Sequence, residues 1–328
     1  GYFGKEALNF ADTDTLVANA VRWAAGKAGE GSGKVRVLLR RERALADYLS
    51  EHGFETTQTN DITSAALADC DVVCADAHGL SDEEIETLQQ YVRKGGGLLT
   101  AGLAWGWLQL NPGRTLDEHP GNRLLGPAGI LFADGYLERS AKDGYAVDGS
   151  PSKFCHAGAA LAALAEQADT DTKHTPDELA QALWTASRAA RTLPDDDRIL
   201  RPALQKLQRK HAKAIVPTER APVSMRKPLE RLLLTLQIED DAKLPPARMK
   251  AHAAAEDFPG AVPSGTPRIA RKLEINTSVP GWHSTGLYAA AGEVVNIIVP
   301  EIADGAKLSV RIGAHKDGLW DKPKWNRC

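Results

Sequence analysis

The chain has 328 residues, 43% hydrophobic and 25% charged, the ordinary balance of a globular protein. At roughly 100–200 residues per domain it divides into two or three. Its net charge of -3 excludes a dedicated nucleic-acid binder, which needs a basic face for phosphate, and no apolar run approaches the roughly 20 residues that span a bilayer. Four cysteines (Cys70, Cys74, Cys155 and Cys328) are too few and scattered for a disulfide framework. The chain starts Gly1-Tyr2-Phe3-Gly4, without an initiator Met or a signal peptide, and stops at Trp325-Asn326-Arg327-Cys328. Both ends read as cut, so compartment stays open.

Residues 1–150 alternate strand and helix signals. Leu16 to Ala25 has apolar residues at helical spacing, and Val35 to Leu39 is a β-rich run. A helix over Arg43 to His52 stops at Gly53, and Phe54 to Thr59 reads as a strand. Asp71 to Ala75 is apolar without alternation, the pattern of a parallel strand buried on both faces. Ser81 and Glu84 form a capping box before the apolar stripe Ile85, Leu88, Tyr91 and Val92. Gly95-Gly96-Gly97 ends that helix, and Leu98 to Ala101 is a core strand. Such repetition predicts a parallel sheet covered by helices.

Residues 151–265 read as helical: 157–167, 176–192, 199–213 and 228–238, with Pro176 and Pro228 suited to first turns. The basic stretch Lys206 to Lys213 reads as a solvated helix face. After the turn-rich Phe258 to Pro267, residues 266–328 turn to β patterns at 272–275, 294–299 and 308–312. About sixty residues supply only part of a sandwich.

Chemistry-bearing motifs are sparse. The strand Leu98 to Ala101 runs into Gly102-Leu103-Ala104-Trp105-Gly106, a Gly-x-nucleophile-x-Gly spacing with a methyl group at its centre. A methyl cannot attack a carbonyl. Thr100 and Ser81 lack an assignable base. His78, after the strand 71–75, and Asp76 sit where parallel sheets bind ligands. With Gly102, Ala104, Trp105 and Gly106 they are the cleft candidates, and no catalytic residue is assigned. His119, beside Asp117-Glu118, reads as a surface loop histidine. Cys70 and Cys74, on one predicted strand, would stand roughly 13 Å apart. Two thiolates on one zinc stand about 4 Å apart, so these read as core cysteines. There is no H-E-x-x-H and no P-loop.

On Leu80 to Ile85, Gly95 to Leu99 and the 102–106 turn, residues 1–150 resemble the class I glutamine-amidotransferase-like superfamily. The resemblance implies a flavodoxin-like α/β domain, here without the Cys its active members carry. It also implies a strained Ala104 facing the cleft, with His78 across from it. A second stretch holds Trp282, Ser284, Thr285, Gly286, Leu287 and Tyr288, then Arg311, Gly313, His315, Asp317 and Trp320. It resembles the N-terminal β module of enhancin-like, mucin-degrading zinc metallopeptidases. His315 and Asp317 read there as a strand-end turn held by Asp317. Both resemblances occur in this order in vertebrate factors that associate with a cold-sensing TRP channel, and Trp105 to Trp107 and His119 to Leu125 are also similar to that group.

The expected architecture is thus α/β: a glutamine-amidotransferase-like domain over 1–150, a helical region over 151–265, and an incomplete β-sandwich module over 266–328. The expected function is the non-catalytic N-terminal portion of a secreted or envelope zinc metallopeptidase acting on glycoproteins. Zinc is expected downstream, with no cofactor, metal or membrane span in this chain, and the Ala- and Asp/Arg-rich composition suggests a bacterial source. The alternatives are an interaction or regulatory protein related to the channel-associated factors, and an amidohydrolase or sugar-modifying enzyme using the α/β cleft.

Overall fold

The computed structural model describes residues 3–26, 34–135, 150, 152–169, 174–211, 215–256, 260–301, 308–313, 322 and 324–325. The chain divides into two compact units, residues 1–157 with 188–202, and residues 158–187 with 203–328.

The first unit begins with α1 (Lys5–Leu8) and α2 (Thr13–Ala24). Then follow β1 (Arg36–Arg40), α3 (Arg43–Glu51), β2 (Glu55–Thr59), α4 (Ser64–Leu67) and β3 (Val72–Asp76). A 3-10 turn (Ala77–Gly79), α5 (Asp82–Arg93), β4 (Gly97–Ala101), α6 (Ala104–Leu110) and α7 (Pro120–Leu125) complete it. The four strands form one parallel sheet in the order β2-β1-β3-β4. Val37, Leu39, Val72 and Cys74 pack on one face with Val21, Leu45 and Leu49. Leu38, Val73 and Ala75 pack on the other with Ile85, Leu88 and Leu124. Both faces are covered, which is why Val37 to Leu39 of β1 and Val72 to Ala75 of β3 are unbroken apolar runs. The edge strand β2 is polar (Glu-Thr-Thr-Gln-Thr) and largely exposed. The capping box at Ser81 and Glu84 is formed. Cys74 lies buried in β3, whereas Cys70 precedes the strand, half-buried, its thiol 3.5 Å from the Tyr91 hydroxyl. Burial pushes both thiols up.

Arg40 closes β1 with a buried ion pair. Its guanidinium donates to both Glu84 oxygens, at 2.6 and 2.9 Å, and to the Gly79 carbonyl at 2.7 Å. Glu84 also accepts from the amides of Ser81 and Ile62. Burial alone would raise this carboxyl, but the Arg40 contact and these amides together hold it below its usual value. In the same unit Asp134 lies 3.6 and 3.0 Å from Arg188 and Arg191, fastening the 188–202 segment to it.

The remaining helices are α8 (Ala157–Asp169), α9 (Pro176–Thr192), α10 (Arg201–Lys210) and α11 (Pro228–Ala242). Leu232 to Leu236 of α11 are all buried. Strands β5 (Val223–Ser224) and β6 (Lys324–Trp325) pair antiparallel. The strands expected at 272–275, 294–299 and 308–312 are not formed. Those residues have no regular secondary structure and expose apolar side chains, with Val294 63% and Ile298 93% accessible. A strand exists only against a neighbour's ladder, and these segments have none among the described residues. No described helix is long and apolar enough to cross a membrane.

Candidate functional site

The strand order reverses between β1 and β3, so a crevice opens at their carboxyl ends, where open parallel sheets bind ligands. Four segments meet there: Arg41-Glu42 after β1, Asp76 to Gly79 after β3, Gly102 to Ala104 after β4, and His119 before α7.

Asp76 ends β3 and caps the following turn by accepting from the His78 amide at 2.8 Å. The His78 Nε2 accepts from the Leu103 amide at 2.7 Å, so the ring proton sits on Nδ1, 3.5 Å from Asp76 Oδ1. His78 and Gly102 are therefore adjacent, as expected, but the His78 lone pair is already used. Glu42 stands half-buried at the start of α3. Burial pushes its carboxyl up, and the nearby Asp76 carboxylate adds to the effect.

The turn after β4 differs from expectation. Ala104 is buried and opens α6 behind Leu103 (φ -120, ψ 83), and its own φ is not positive. The strained backbone lies after β1. Among the described residues only Ala11 and Arg41 are non-glycine positions with positive φ, and Arg41 stands at 61°. The Arg41 amide donates to the Thr59 carbonyl, and its guanidinium reaches the Asn60 carbonyl and Asp61. Gly102 and Gly106 need not be glycine. A Cβ at either would meet nothing closer than 3.5 Å. Trp105 is partly exposed and Trp107 buried.

His119 overturns its expected surface position. It is fully buried, edge-on to His78 (5.3 Å between centroids) and Trp107 (5.2 Å), and 5.6 Å from Phe132. Its Nδ1 accepts from the Gly121 amide at 3.1 Å and caps α7, leaving the proton on Nε2, which has no partner among the described residues. Burial, with His78 adding to it, lowers its pKa to about 4, so it is neutral at pH 7. Asn122 locks the same corner. Its amide donates to the Leu116 and Phe132 carbonyls and accepts from the Phe132 amide. Pro120 was the available signal, since a proline at the first helical position marks the preceding residue as a cap.

Thr100 and Ser81 are occupied structurally, the first by the Ala75 carbonyl and the second by the Glu84 amide. The crevice thus offers two carboxylates, one of them with a raised pKa, and an aromatic wall. It brings no nucleophile to a free base among the described residues. No three His, Cys, Asp or Glu side chains converge as metal ligands among the described residues either.

The second motif is partly described. Arg311 lies over the exposed Trp282 ring at 4.3 Å, and the Tyr288 hydroxyl donates to the Gly260 carbonyl. Thr285 accepts from the Leu287 amide, beside Gly286 at φ 66. Ser284 lies in the same irregular stretch, and Gly313 has φ 88. His315, Asp317 and Trp320 fall outside the described residues.

Residues 4–145 match a family model described as TRPM8, N-terminal domain, and residues 265–328 match the N-terminal domain of M60-like peptidases. TRPM8 channel-associated factor 2 of Bos taurus is 29% identical over 95% of this chain and 33% of its own length. The human factor 2 is 30% identical over 95% and 33%, and the human factor 1 is 28% identical over 93% and 32%. No solved structure matches. The chain spans about a third of the length of these relatives, and over almost all of its own length it is similar to TRPM8 channel-associated factors.

Proposed function

We propose that the chain is an interaction and regulatory module of the channel-associated kind, with a membrane channel protein as its partner. One observation carries this reading. The likeness runs through 93–95% of the chain, across both units, to proteins whose names record association with the TRPM8 channel. The crevice chemistry supports it. A methyl stands at the elbow position and the His78 lone pair is held by a backbone amide. Glu42, Asp76 and the partly exposed Trp105 offer charge and an aromatic face to a docking segment. Binding fits such a surface better than acyl transfer, which needs an activated nucleophile.

The test is direct. TRPM8 purified in detergent and immobilised on a biosensor should bind the chain saturably, in the micromolar range or tighter. Glu42→Arg should weaken that binding by about tenfold, through repulsion of a basic docking segment. No saturable binding up to about 100 μM would overturn the reading.

The match over 265–328 favours a second reading. The chain would then be the N-terminal portion of a secreted or envelope zinc metallopeptidase, with zinc held in a domain beyond these residues. Residues 266–328 would position a glycoprotein. The same biosensor loaded with mucin glycopeptide separates the two: mucin binding with no TRPM8 binding selects the peptidase scaffold.

A further inference from the structure

We infer that the docking segment of the channel partner is an amphipathic helix, apolar on one face, with Lys or Arg beyond one end of that face. The inference rests on the interaction reading above and names what the crevice takes. It stands on the exposed side of α6 and on the two carboxylates beside it.

Helix α6 carries apolar side chains on both of its sides. Ala104 and Trp107 are buried. At 100° per residue, Leu103, Gly106 and Leu110 fall within about 60° of one another on the opposite side. Leu110 is 83% exposed and Leu103 45%, and Trp105 is partly exposed as well. Leu103 leans over Gly106, its side chain 3.5 Å from where a Cβ would stand, so the stripe is continuous. From Gly95 to Gly113 the sequence has no charged side chain. A contiguous exposed apolar patch of this kind marks an interaction site. The α6 backbone offers no ladder to an extended strand, because the Trp107 and Asn111 amides already donate to the Leu103 and Trp107 carbonyls. Side chains must make the contact, and helices pack on helices in that way, ridges into grooves.

Charge sets the rest. The Leu103 amide donates to His78 Nε2, and Asp76 Oδ1 lies 3.5 Å from the other ring nitrogen. One imidazole ring thus separates the apolar stripe from the Asp76 carboxylate. Glu42 adjoins Asp76 in turn. Arg40 and Arg41, which precede Glu42, direct their guanidinium groups to Glu84 and to Asn60 and Asp61. No Lys or Arg forms an ion pair with Glu42 or Asp76 among the described residues. The crevice end of the stripe is therefore acidic, and a segment that covers the stripe meets that end with a cation. An acidic helix would set like charges against each other there.

Immobilised TRPM8, and overlapping peptides spanning its sequence, are the probes for the full chain and for its Leu110→Glu, Gly106→Lys and Trp23→Glu variants. Trp23 is the control. It is exposed at the opposite end of the sheet, where Ala24 approaches Gly97, the first residue of β4. Both stripe variants should lose about tenfold in affinity for TRPM8, and the control should not. The peptides that bind should carry apolar residues three and four apart beside Lys or Arg. Their binding should weaken as salt is raised and vanish when proline is placed at their centre. A Cβ at Gly106 meets nothing closer than 3.5 Å and Leu110 lies in water, so both stripe variants should fold, which far-UV circular dichroism checks. The inference fails, with the interaction reading intact, if TRPM8 binds the parent chain and both folded stripe variants alike, or if the bound peptides are acidic or tolerate proline. It also fails if the parent chain is a dimer that Leu110→Glu splits, since a second copy would then cover the stripe. Absence of TRPM8 binding to the parent chain overturns the reading and the inference together.

Discussion

His119 carries the clearest pH signature of any single residue here. In the unfolded chain its ring titrates at its ordinary value, about 6.5. In the folded chain burial among His78, Trp107 and Phe132 delays protonation to about pH 4. Between those values the unfolded chain holds a proton that the folded chain refuses, so stability falls as pH falls through that window. The contribution is fully present above about pH 6.5, and up to about 3 kcal/mol is lost on approaching pH 4. Urea midpoints should therefore drop between pH 7.5 and pH 5. His119→Phe should be less stable at pH 7.5, by about 1 kcal/mol for the lost cap, yet should lose less on acidification. An unchanged pH slope in that variant would remove His119 as the cause. The sequence hid this residue because Asp117 and Glu118 beside it look like a solvated loop. Burial depends on Trp107 and Phe132, more than ten residues away on either side. The positive φ at Arg41 was hidden too, since arginine carries no turn preference that would mark it.

Among the elements, strands β1, β3 and β4 and helices α3, α5, α9 and α11 were legible because their signals are local. Buried strands are continuous apolar runs, and Ser81, Glu84 and Pro228 mark helix starts. The turn between β4 and α6 was misread for a physical reason. Two glycines four residues apart suggest crowding, but crowding is a property of the neighbours. The tight place in this corner is Gly121, where a Cβ would come within 2.8 Å of the Phe132 ring and 2.9 Å of the Ala77 methyl. Gly121→Ala should therefore cost about 1–3 kcal/mol, as overpacking does. Gly102→Ala, with its nearest neighbours 3.5 Å away and no positive φ, should stay within about 0.5 kcal/mol of the parent. Thermal unfolding of the two variants side by side decides it. Equal destabilisation would return the close-packed elbow to residues 102–106.

For the whole molecule, the contrast lies between the four-stranded sheet and the long irregular stretch 260–301. Each sheet strand is hydrogen-bonded to a parallel neighbour, and the central strands β1 and β3 are covered on both faces. The stretch 260–301 has a handful of isolated turn bonds, such as Thr266 to Pro263 and Glu293 to Ala290, and little else among the described residues. Its apolar residues follow β patterns, but a β pattern becomes a strand only when a partner supplies the other half of the ladder. Segments with few buried contacts and exposed backbone open at low free-energy cost, and proteases cut where the backbone opens. Trypsin has Arg268, Arg271 and Lys272 in this stretch, and chymotrypsin has Trp282, Leu287 and Tyr288, the last three all more than half exposed. The earliest cuts by either enzyme should therefore fall between 260 and 301, read by mass spectrometry of the first products. Residues 36–125 should persist as the resistant part. Among the described residues the far end of the tail is tied back through the two-residue pairing of Val223 with Trp325 and Ser224 with Lys324 and through the Arg231 guanidinium, which donates to the Lys322 carbonyl. So short a ladder cannot hold a released fragment, and after the first cut the piece that follows it should separate on gel filtration. First cuts inside 36–125, or a nicked chain that stays whole on the column, would mean that 260–301 is held by packing far stronger than its exposure allows.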